Sequence, residues 1–227
     1  MVGMTETSPV SYQTTLSSPL QKRIETVGTI LPHTLAKIIK PGSPQEILPL
    51  NTRGELCVSG YLLQKGYWEN PAKTEEVMIR DSTGWIWMMT GDEGFMDNDG
   101  YLTITGRIKD IIIRGGENIL PLEIENVLFS HEDVVQASVV AIQDDKYGEV
   151  VGAFVERDPW KKEKVGRDEL KKFVKGKLAR YKVPRYVFFL GEDGVPERWP
   201  VTASGKIRKV ELREWGNEAV KSGRVTN

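Results

Sequence analysis

The sequence has little of what a disulfide, a metal site or a membrane span requires. It contains one cysteine, Cys57, so no internal disulfide can form, and its two histidines lack partners at metal-ligand spacing. The apolar runs at residues 111–113, 137–142 and 186–190 are far shorter than the roughly 20 residues of a membrane-spanning helix. The 31 basic and 32 acidic residues balance, which gives no electrostatic reason to expect nucleic acid as a partner.

The first part of the chain is a series of short strand-like runs. No internal repeat or low-complexity segment occurs in the 227 residues, which are enough for one large domain or two small ones. Apolar or alternating runs at residues 36–39, 54–59 and 100–105 are separated by turn signals such as Pro41-Gly42. This pattern predicts a small sheet or barrel rather than a helical bundle.

After Gly106 the pattern changes to alternating strands and helices. Pro121 suits the first turn of a helix, and apolar residues then recur at helical spacing through about residue 130. Asp168 is the expected N-cap of a further helix through about residue 180. Strands are predicted from runs rich in β-branched residues at 134–142, 149–156 and 187–190. The expected fold class is therefore α+β, with a small β subdomain followed by a compact α+β domain.

Four motifs follow one another along the chain. They are Gly-Met-Thr-Glu-Thr-Ser-Pro at residues 3–9, Thr-Gly-Asp at 90–92, a run rich in Ile, Gly and Glu at 106–125, and Pro-Val-Thr-Ala-Ser-Gly-Lys-Ile-Arg-Lys at 200–209. In this order they resemble the signatures of the acyl-adenylate-forming superfamily, which contains acyl-CoA synthetases, luciferases and peptide-synthetase adenylation domains. The resemblance is closest to CoA ligases that act on fatty or other short to medium acids.

The resemblance implies nucleotide-binding roles for side chains in the first half of the chain. A carboxylate can accept hydrogen bonds from two vicinal hydroxyls, and Asp92 matches the family residue that holds the adenosine ribose, with Arg107 at the same ribose–phosphate edge. Thr5 matches a residue that contacts the adenylate phosphate, and Glu6 matches one that binds Mg²⁺. The alternative is that Asp92 only caps a turn, because Thr-Gly-Asp alone is a weak signal.

The resemblance also implies chemistry and motion farther along the chain. Lys206 would be the catalytic cation that stabilises charge on the α-phosphate while acyl-AMP forms, although an isolated lysine is more often a hydrated surface residue. Lys109 would be the hinge about which the C-terminal domain rotates between adenylation and thioester formation. Gly115 and Gly116 would leave room for the pantetheine arm of coenzyme A, or form an ordinary tight turn.

The resemblance implies a two-step acid–thiol ligase. A carboxylic acid and ATP would give acyl-AMP and pyrophosphate, and the acyl group would then pass to coenzyme A. Residues 1–106 would be the C-terminal part of the large AMP-binding domain, and residues 107–227 the mobile C-terminal domain. Because no phosphate-binding loop rich in Gly, Ser and Thr precedes Gly3, we expect a C-terminal fragment whose N-terminal portion is missing.

Two other functions remain open at this stage. The chain could be a truncated, non-catalytic remnant that binds nucleotide or a partner, or an adenylation domain that loads a carrier protein. The expected ligands are ATP or AMP, Mg²⁺, coenzyme A and a carboxylic acid, without nucleic acid or a membrane span. Since neither a signal peptide nor a Ser-Lys-Leu ending is visible, a cytoplasmic location is the default expectation.

Overall fold

The computed structural model describes residues 1–161 and 164–225. The chain divides into two compact units, Met1–Lys109 and Asp110–Asn227. The division falls after Lys109 rather than after Gly106, because strand pairing extends through Arg107 and keeps that residue in the first unit. Within the described residues, none of the helices has the length and apolar character needed to cross a membrane.

The first unit begins with a small antiparallel sheet of three strands. They are β1 (Val2–Gly3), β2 (Val10–Gln13) and β3 (Thr29–Ile30), with the helix α1 (Leu20–Glu25) between the last two. The chain passes very close to itself at Gly3, where an added Cβ would lie 1.8 Å from the carbonyl oxygen of Pro9. Only glycine fits there, so this residue fixes the path of the following Thr-Glu segment.

A second antiparallel sheet forms most of the first unit, in the order β5-β4-β6-β8-β7, with β9 also paired to β8. Its strands are β4 (Thr34–Lys40), β5 (Ser43–Ile47), β6 (Gly54–Gly60), β7 (Met78–Arg80), β8 (Ile86–Met96) and β9 (Leu102–Arg107), with the helix α2 (Pro71–Val77) before β7. Because β6 pairs with one edge of β8, β7 and β9 pair with successive parts of the other edge. The prediction of a small sheet for this region is confirmed.

Strand β6 runs through the core of the first unit. Leu56 and Val58 pack there with Tyr12, Ile38 and Leu102. Cys57, between the two, is also buried, and burial raises the pKa of its thiol to about 12. The cysteine is therefore a protonated, apolar core residue at neutral pH.

The second unit is built on one mixed sheet in the order β11-β10-β13-β12, with β14 parallel to β13. The strands are β10 (Ile112–Arg114), β11 (Glu117–Ile119), β12 (Val134–Asp144), β13 (Gly148–Arg157) and β14 (Tyr186–Phe189), and the helices are α3 (Pro121–Phe129), α4 (Arg167–Lys175) and α5 (Lys209–Lys221). This arrangement confirms the α+β fold class and the predicted helix start at Pro121.

Helices cover both faces of this sheet. Val139 of β12 belongs to the core cluster that includes α3 and α4, whereas the next residue, Val140, belongs to the cluster with Leu212 of α5. Successive strand residues point to opposite faces, so a strand that is buried on both sides must be apolar throughout. That requirement explains the unbroken apolar runs in β12 and β13.

The sequence-based limits of helix α4 were wrong. The helix begins at Arg167 with Gly166 at the N-cap, so Asp168 lies in the first turn and no side chain caps the helix. An acidic residue is favourable for the helix dipole both at the N-cap and in the first turn, so the sequence alone did not distinguish the two positions. The helix ends at Lys175 rather than near residue 180, and a separate 3-10 turn follows at Arg180–Lys182.

Gly216 sets how closely α5 approaches the sheet. A Cβ at Gly216 would lie 2.4 Å from Cδ1 of Ile142, and a Cβ at Gly152 would lie equally close to Cγ1 of the same side chain. Ile142 is therefore held between two glycines and cannot move aside. Overpacking of this kind typically costs about 1–3 kcal/mol.

We expect Gly216→Ala to lower the free energy of unfolding by about 1–3 kcal/mol, although alanine is ordinarily the better helix former. Gly176→Ala is the matched control, because its nearest neighbours lie at 3.5 Å and its φ of −72° suits any residue. Denaturant unfolding of both variants measures the difference. Equal stability of the two variants would show that the close approach to Ile142 does not lower the free energy of unfolding of Gly216→Ala.

Candidate functional site

Strand β8 carries a bulge at the Thr90-Gly91-Asp92 motif. In the pairing with β6, Glu55 lies opposite Glu93 and Cys57 opposite Met89, so three residues of β8 face the single residue Leu56. Gly91 adopts a φ of +73°, which favours glycine. The motif therefore lies within strand β8.

Three hydrogen bonds fix this bulge. Thr90 Oγ1 donates to the carbonyl oxygen of Leu56 at 2.9 Å and accepts from the backbone N–H of Asp92 at 3.1 Å. The N–H of Gly91 donates to Oε1 of Glu55 at 3.0 Å. The hydroxyl of Thr90 and the N–H groups of Gly91 and Asp92 consequently each have a partner that restricts their orientation.

Asp92 and Arg107 lie directly opposite each other on β8 and β9. Arg107 Nε is 2.7 Å from Asp92 Oδ1, and Arg107 Nη1 donates to the carbonyl oxygen of Thr90 at 3.2 Å. The Asp92 side chain is 14% exposed and the Arg107 side chain 51% exposed. A mostly buried carboxylate is thus oriented by a cation that still reaches solvent.

Glu6 lies in a 3-10 turn, Thr5–Thr7, near the start of the chain. Its Oε1 accepts a hydrogen bond of 2.8 Å from the hydroxyl of Tyr67, and its carbonyl oxygen accepts the N–H of Gln64 at 2.9 Å. Thr5 is exposed. Two contacts from the segment after β6 therefore hold the Thr-Glu motif in place.

A cavity of about 370 Å³ in the first unit brings several of these residues together. Its lining combines apolar side chains with carboxylates and two cations: Met4, Glu6, Glu55, Tyr67, Glu76, Val77, Met89, Thr90, Gly91, Arg107, Ile108 and Lys109. The volume lies within the range of about 300–1,000 Å³ of small-molecule sites. The predicted residues Glu6, Arg107 and Lys109 share this cavity, and Asp92 contacts its Arg107.

Lys109 is the last residue of the first unit and lies near two carboxylates of the cavity. Burial raises the pKa of Glu55 above its ordinary value of 4.5 and the Asp92 charge adds to this, whereas the Gly91 N–H and the Lys109 charge lower it. The pKa of Glu76 is lowered by a hydrogen bond from Lys73 and, in the same direction, by Lys109. The role of Lys109 as a hinge stays a prediction.

Lys206 lies in the second unit at the end of a tight turn. Thr202 N–H donates to the carbonyl oxygen of Lys206 at 2.8 Å, Gly205 N–H donates to that of Thr202 at 2.9 Å, and Val201 forms a bridge with Ile207. Gly205 has a φ of +80°. The backbone around Lys206 is therefore ordered while its side chain is exposed.

Gly115 and Gly116 form the two-residue turn between β10 and β11. Both have positive φ, +56° and +90°, as a type I′ hairpin turn requires. The Gly115 N–H donates to the carbonyl oxygen of Tyr147 at 2.9 Å, and the Arg114 guanidinium lies 4.0 Å from the Tyr147 ring centroid. The tight-turn reading is thus correct as local structure, and a role toward coenzyme A stays a prediction.

Two residues of the cavity were missed by sequence reasoning. Glu55 is a charged residue inside the apolar run of β6, and that anomaly was the signal that could have identified it. Tyr67 carried no local signal, because its partner Glu6 is 61 positions away. Within residues 1–161 and 164–225, no group of three or more His, Cys, Asp and Glu side chains could hold a metal ion.

Comparisons with known proteins show which families the sequence matches. The family model described as AMP-binding enzyme matches residues 1–68, and that of the AMP-binding enzyme C-terminal domain matches residues 123–206. The acyl-CoA ligase sidI of Beauveria bassiana is 49% identical over 96% of this chain and 38% of its own length. The mitochondrial medium-chain acyl-CoA ligase ACSF2 of Bos taurus is 41% identical over 93% of this chain and 32% of its own length.

Solved structures of related enzymes also match the chain. ATP-bound MatB from Rhodopseudomonas palustris matches with a TM-score of 0.82 and 31% identity, over 95% of this chain and 40% of that one. The o-succinylbenzoate CoA synthetase of Bacillus subtilis, bound to its acyl-adenylate intermediate, matches with a TM-score of 0.78 and 32% identity, over 93% of this chain and 40% of its own. The chain thus spans roughly two fifths or less of the length of these relatives.

The raised pKa of Glu55 predicts a pH dependence of stability. A carboxyl whose pKa is higher in the folded than in the unfolded state favours folding most at low pH, and that contribution is lost as the pH rises through the folded pKa. We therefore expect the stability of the wild type, relative to Glu55→Gln, to fall as the pH rises above 4.5.

Denaturant unfolding of both proteins between pH 4 and pH 8 measures this difference. The same comparison for Glu69→Gln, an exposed residue, should show no such slope. A difference between wild type and Glu55→Gln that stays constant over the range would contradict the shift.

Proposed function

The chain belongs to the AMP-binding enzyme family, and we propose that it provides the ribose-binding, hinge and catalytic-lysine elements of an acyl-CoA ligase. The observation that carries this proposal is the Asp92–Arg107 pair on the β8 bulge, beside a cavity of ligand size. The proposed reaction joins a carboxylic acid to ATP to give acyl-AMP and pyrophosphate, followed by transfer of the acyl group to coenzyme A.

Asp92 is the proposed acceptor for the ribose hydroxyls of ATP and AMP. Its carboxylate has two oxygens, and the contact of Oδ1 with Arg107 fixes the orientation of the carboxylate. The exposed guanidinium of Arg107 has further N–H groups that can reach a phosphate. One pair can therefore serve both the ribose and the phosphate side of the nucleotide.

Glu6 is the proposed protein ligand of Mg²⁺, and Thr5 the proposed contact to the adenylate phosphate. Mg²⁺ usually keeps several waters and binds through one or two carboxylates together with substrate phosphates. A single carboxylate fixed by Tyr67 and lining the cavity fits that requirement, and when bound the ion would neutralise phosphate charge. Glu6 then serves to orient the metal-bound nucleotide.

Lys206 is the proposed catalytic cation of the first step. The ordered turn limits the backbone, while the exposed ammonium group is available to approach the α-phosphate and the attacking carboxylate. A positive group placed where negative charge develops lowers the barrier. Its function requires only placement of the charge and no proton transfer.

The second step is proposed to use Lys109, Gly115 and Gly116. Lys109 ends the first unit, which suits a hinge because hinges are usually a few residues at element ends. The hinge would present the Gly115–Gly116 turn to the acyl-adenylate, where two residues without side chains leave room for the pantetheine arm of coenzyme A. The cytoplasmic location stays a prediction, since the related ACSF2 of Bos taurus is named as mitochondrial.

In a full-length enzyme that contains this chain, we expect Asp92→Ala to weaken ATP and AMP binding by about 1.5–3 kcal/mol, the range for hydrogen bonds to a charged group. Asp99→Ala, an exposed carboxylate between β8 and β9, is the control that should leave AMP binding unchanged. Calorimetric titration of both variants with AMP measures the effect. Unchanged affinity in Asp92→Ala would remove the ribose assignment.

In a full-length enzyme that contains this chain, Lys206→Ala is expected to slow acyl-adenylate formation by about 10²-fold or more, as is typical for loss of one charge-stabilising group. Thioester formation from supplied acyl-AMP should persist. The two half-reactions are followed by ATP–pyrophosphate exchange and by CoA consumption, with the exposed Lys221→Ala as the control. Equal loss in both half-reactions would indicate a structural role, and unchanged exchange would refute the assignment.

A further inference from the structure

Glu55 is a buried carboxylate to which none of the four sequence motifs assigns a role. It is 6% exposed, and among the residues that the structure describes it is the one charged side chain in the buried set. Burying a carboxylate is costly unless specific partners compensate it. The other β6 residues from Leu56 to Val58 are apolar, so an apolar side chain would be the ordinary choice for this strand.

Glu55 forms a hydrogen bond with the bulge of β8. Its Oε1 accepts the N–H of Gly91 at 3.0 Å, at the residue whose φ of +73° turns the backbone within the bulge. The other two bonds of the bulge both run through the hydroxyl of Thr90. Glu55 is thus the anchor that reaches Gly91 from the neighbouring strand and connects it to β6.

The orientation of Asp92 depends on this anchor. Asp92 follows Gly91 directly, and Arg107 Nη1 lies 3.7 Å from the position of a Cβ at Gly91, so a shift of this residue would move both members of the Asp92–Arg107 pair. A donor N–H left without its acceptor in a partly buried strand would favour such a shift. The charges of Asp92 and Lys109 both act on Glu55, and Lys109 lines the same cavity as Glu55.

We propose that Glu55 is a positioning residue that fixes the Thr90–Gly91–Asp92 bulge through the Gly91 N–H and thereby aims the Asp92 carboxylate at the ribose hydroxyls. The inference rests on the proposed role of Asp92 in nucleotide binding. In this proposal Glu55 acts through the backbone of β8.

The experiment compares three variants of the full chain. Glu55→Ala removes the acceptor, and Glu55→Gln keeps a side-chain oxygen at the same place. Glu93→Ala is the matched control, because Glu93 follows the bulge directly and lies opposite Glu55, but its carboxylate accepts the hydroxyl of Thr105 on β9 at 2.6 Å instead of the Gly91 N–H. AMP affinity is measured by calorimetry, and amide hydrogen exchange at Gly91 by nuclear magnetic resonance.

We expect Glu55→Ala to weaken AMP binding about tenfold and to speed exchange at Gly91 at least about tenfold, corresponding to loss of one hydrogen bond to a charged group. Glu55→Gln should restore most of both. Glu93→Ala should leave AMP affinity and exchange at Gly91 unchanged, even if it lowers overall stability.

Two results would overturn the proposal. One is equal loss of AMP affinity in Glu55→Ala and Glu93→Ala, which would indicate general destabilisation. The other is unchanged exchange at Gly91 in Glu55→Ala. If the wild type bound no AMP, the proposed function would fail, whereas exchange at Gly91 would still decide whether Glu55 holds the bulge.

Discussion

Two additional residues in one strand determine where the polar groups of the first unit lie. Without them, the residues of β8 between Met89 and Glu93 would continue the regular alternation between the two faces of the sheet. The bulge instead directs the Gly91 N–H to β6 and the Asp92 carboxylate to Arg107 on β9. The backbone of a hydrogen-bonded sheet therefore sets the position of the candidate site, so that flexible side chains need not be ordered when a ligand binds.

The second unit combines a rigid base with an exposed charge. Its sheet is buried on both faces, and α5 packs on it so closely that a glycine is needed at position 216. The turn that carries Lys206 leads into α5 within three residues of the lysine. Because the chain is anchored there by a helix that packs on the sheet, the proposed catalytic lysine can adjust only through its side chain and the turn itself.

The sequence predicted those features that depend on neighbouring residues. The apolar runs of β12 and β13, the helix start at Pro121 and the turn at Gly115–Gly116 are local patterns, and they are present in the structure. The start of α4 was missed because Gly166 caps the helix without a side chain, which leaves no signal to read.

The contacts that build the candidate site depend on register and could not be predicted. Asp92 meets Arg107 because a hairpin with one specific pairing places them opposite each other, and Glu55 meets Gly91 across 36 positions of sequence. Family resemblance supplied the identity of Asp92, Arg107 and Lys206 without their local geometry. Glu55 required the structure, since a single glutamate in an apolar run gives no indication of its partner.

The buried thiol of Cys57 makes the chain a reporter of its own local stability. With a pKa near 12 the thiol is almost entirely protonated and enclosed at neutral pH, so an alkylating reagent can reach it only when β6 opens. Glu55 lies two residues earlier on the same strand. The rate of labelling at Cys57 therefore measures how often the strand that supports the candidate ribose site separates from its neighbours, without any probe having to be introduced.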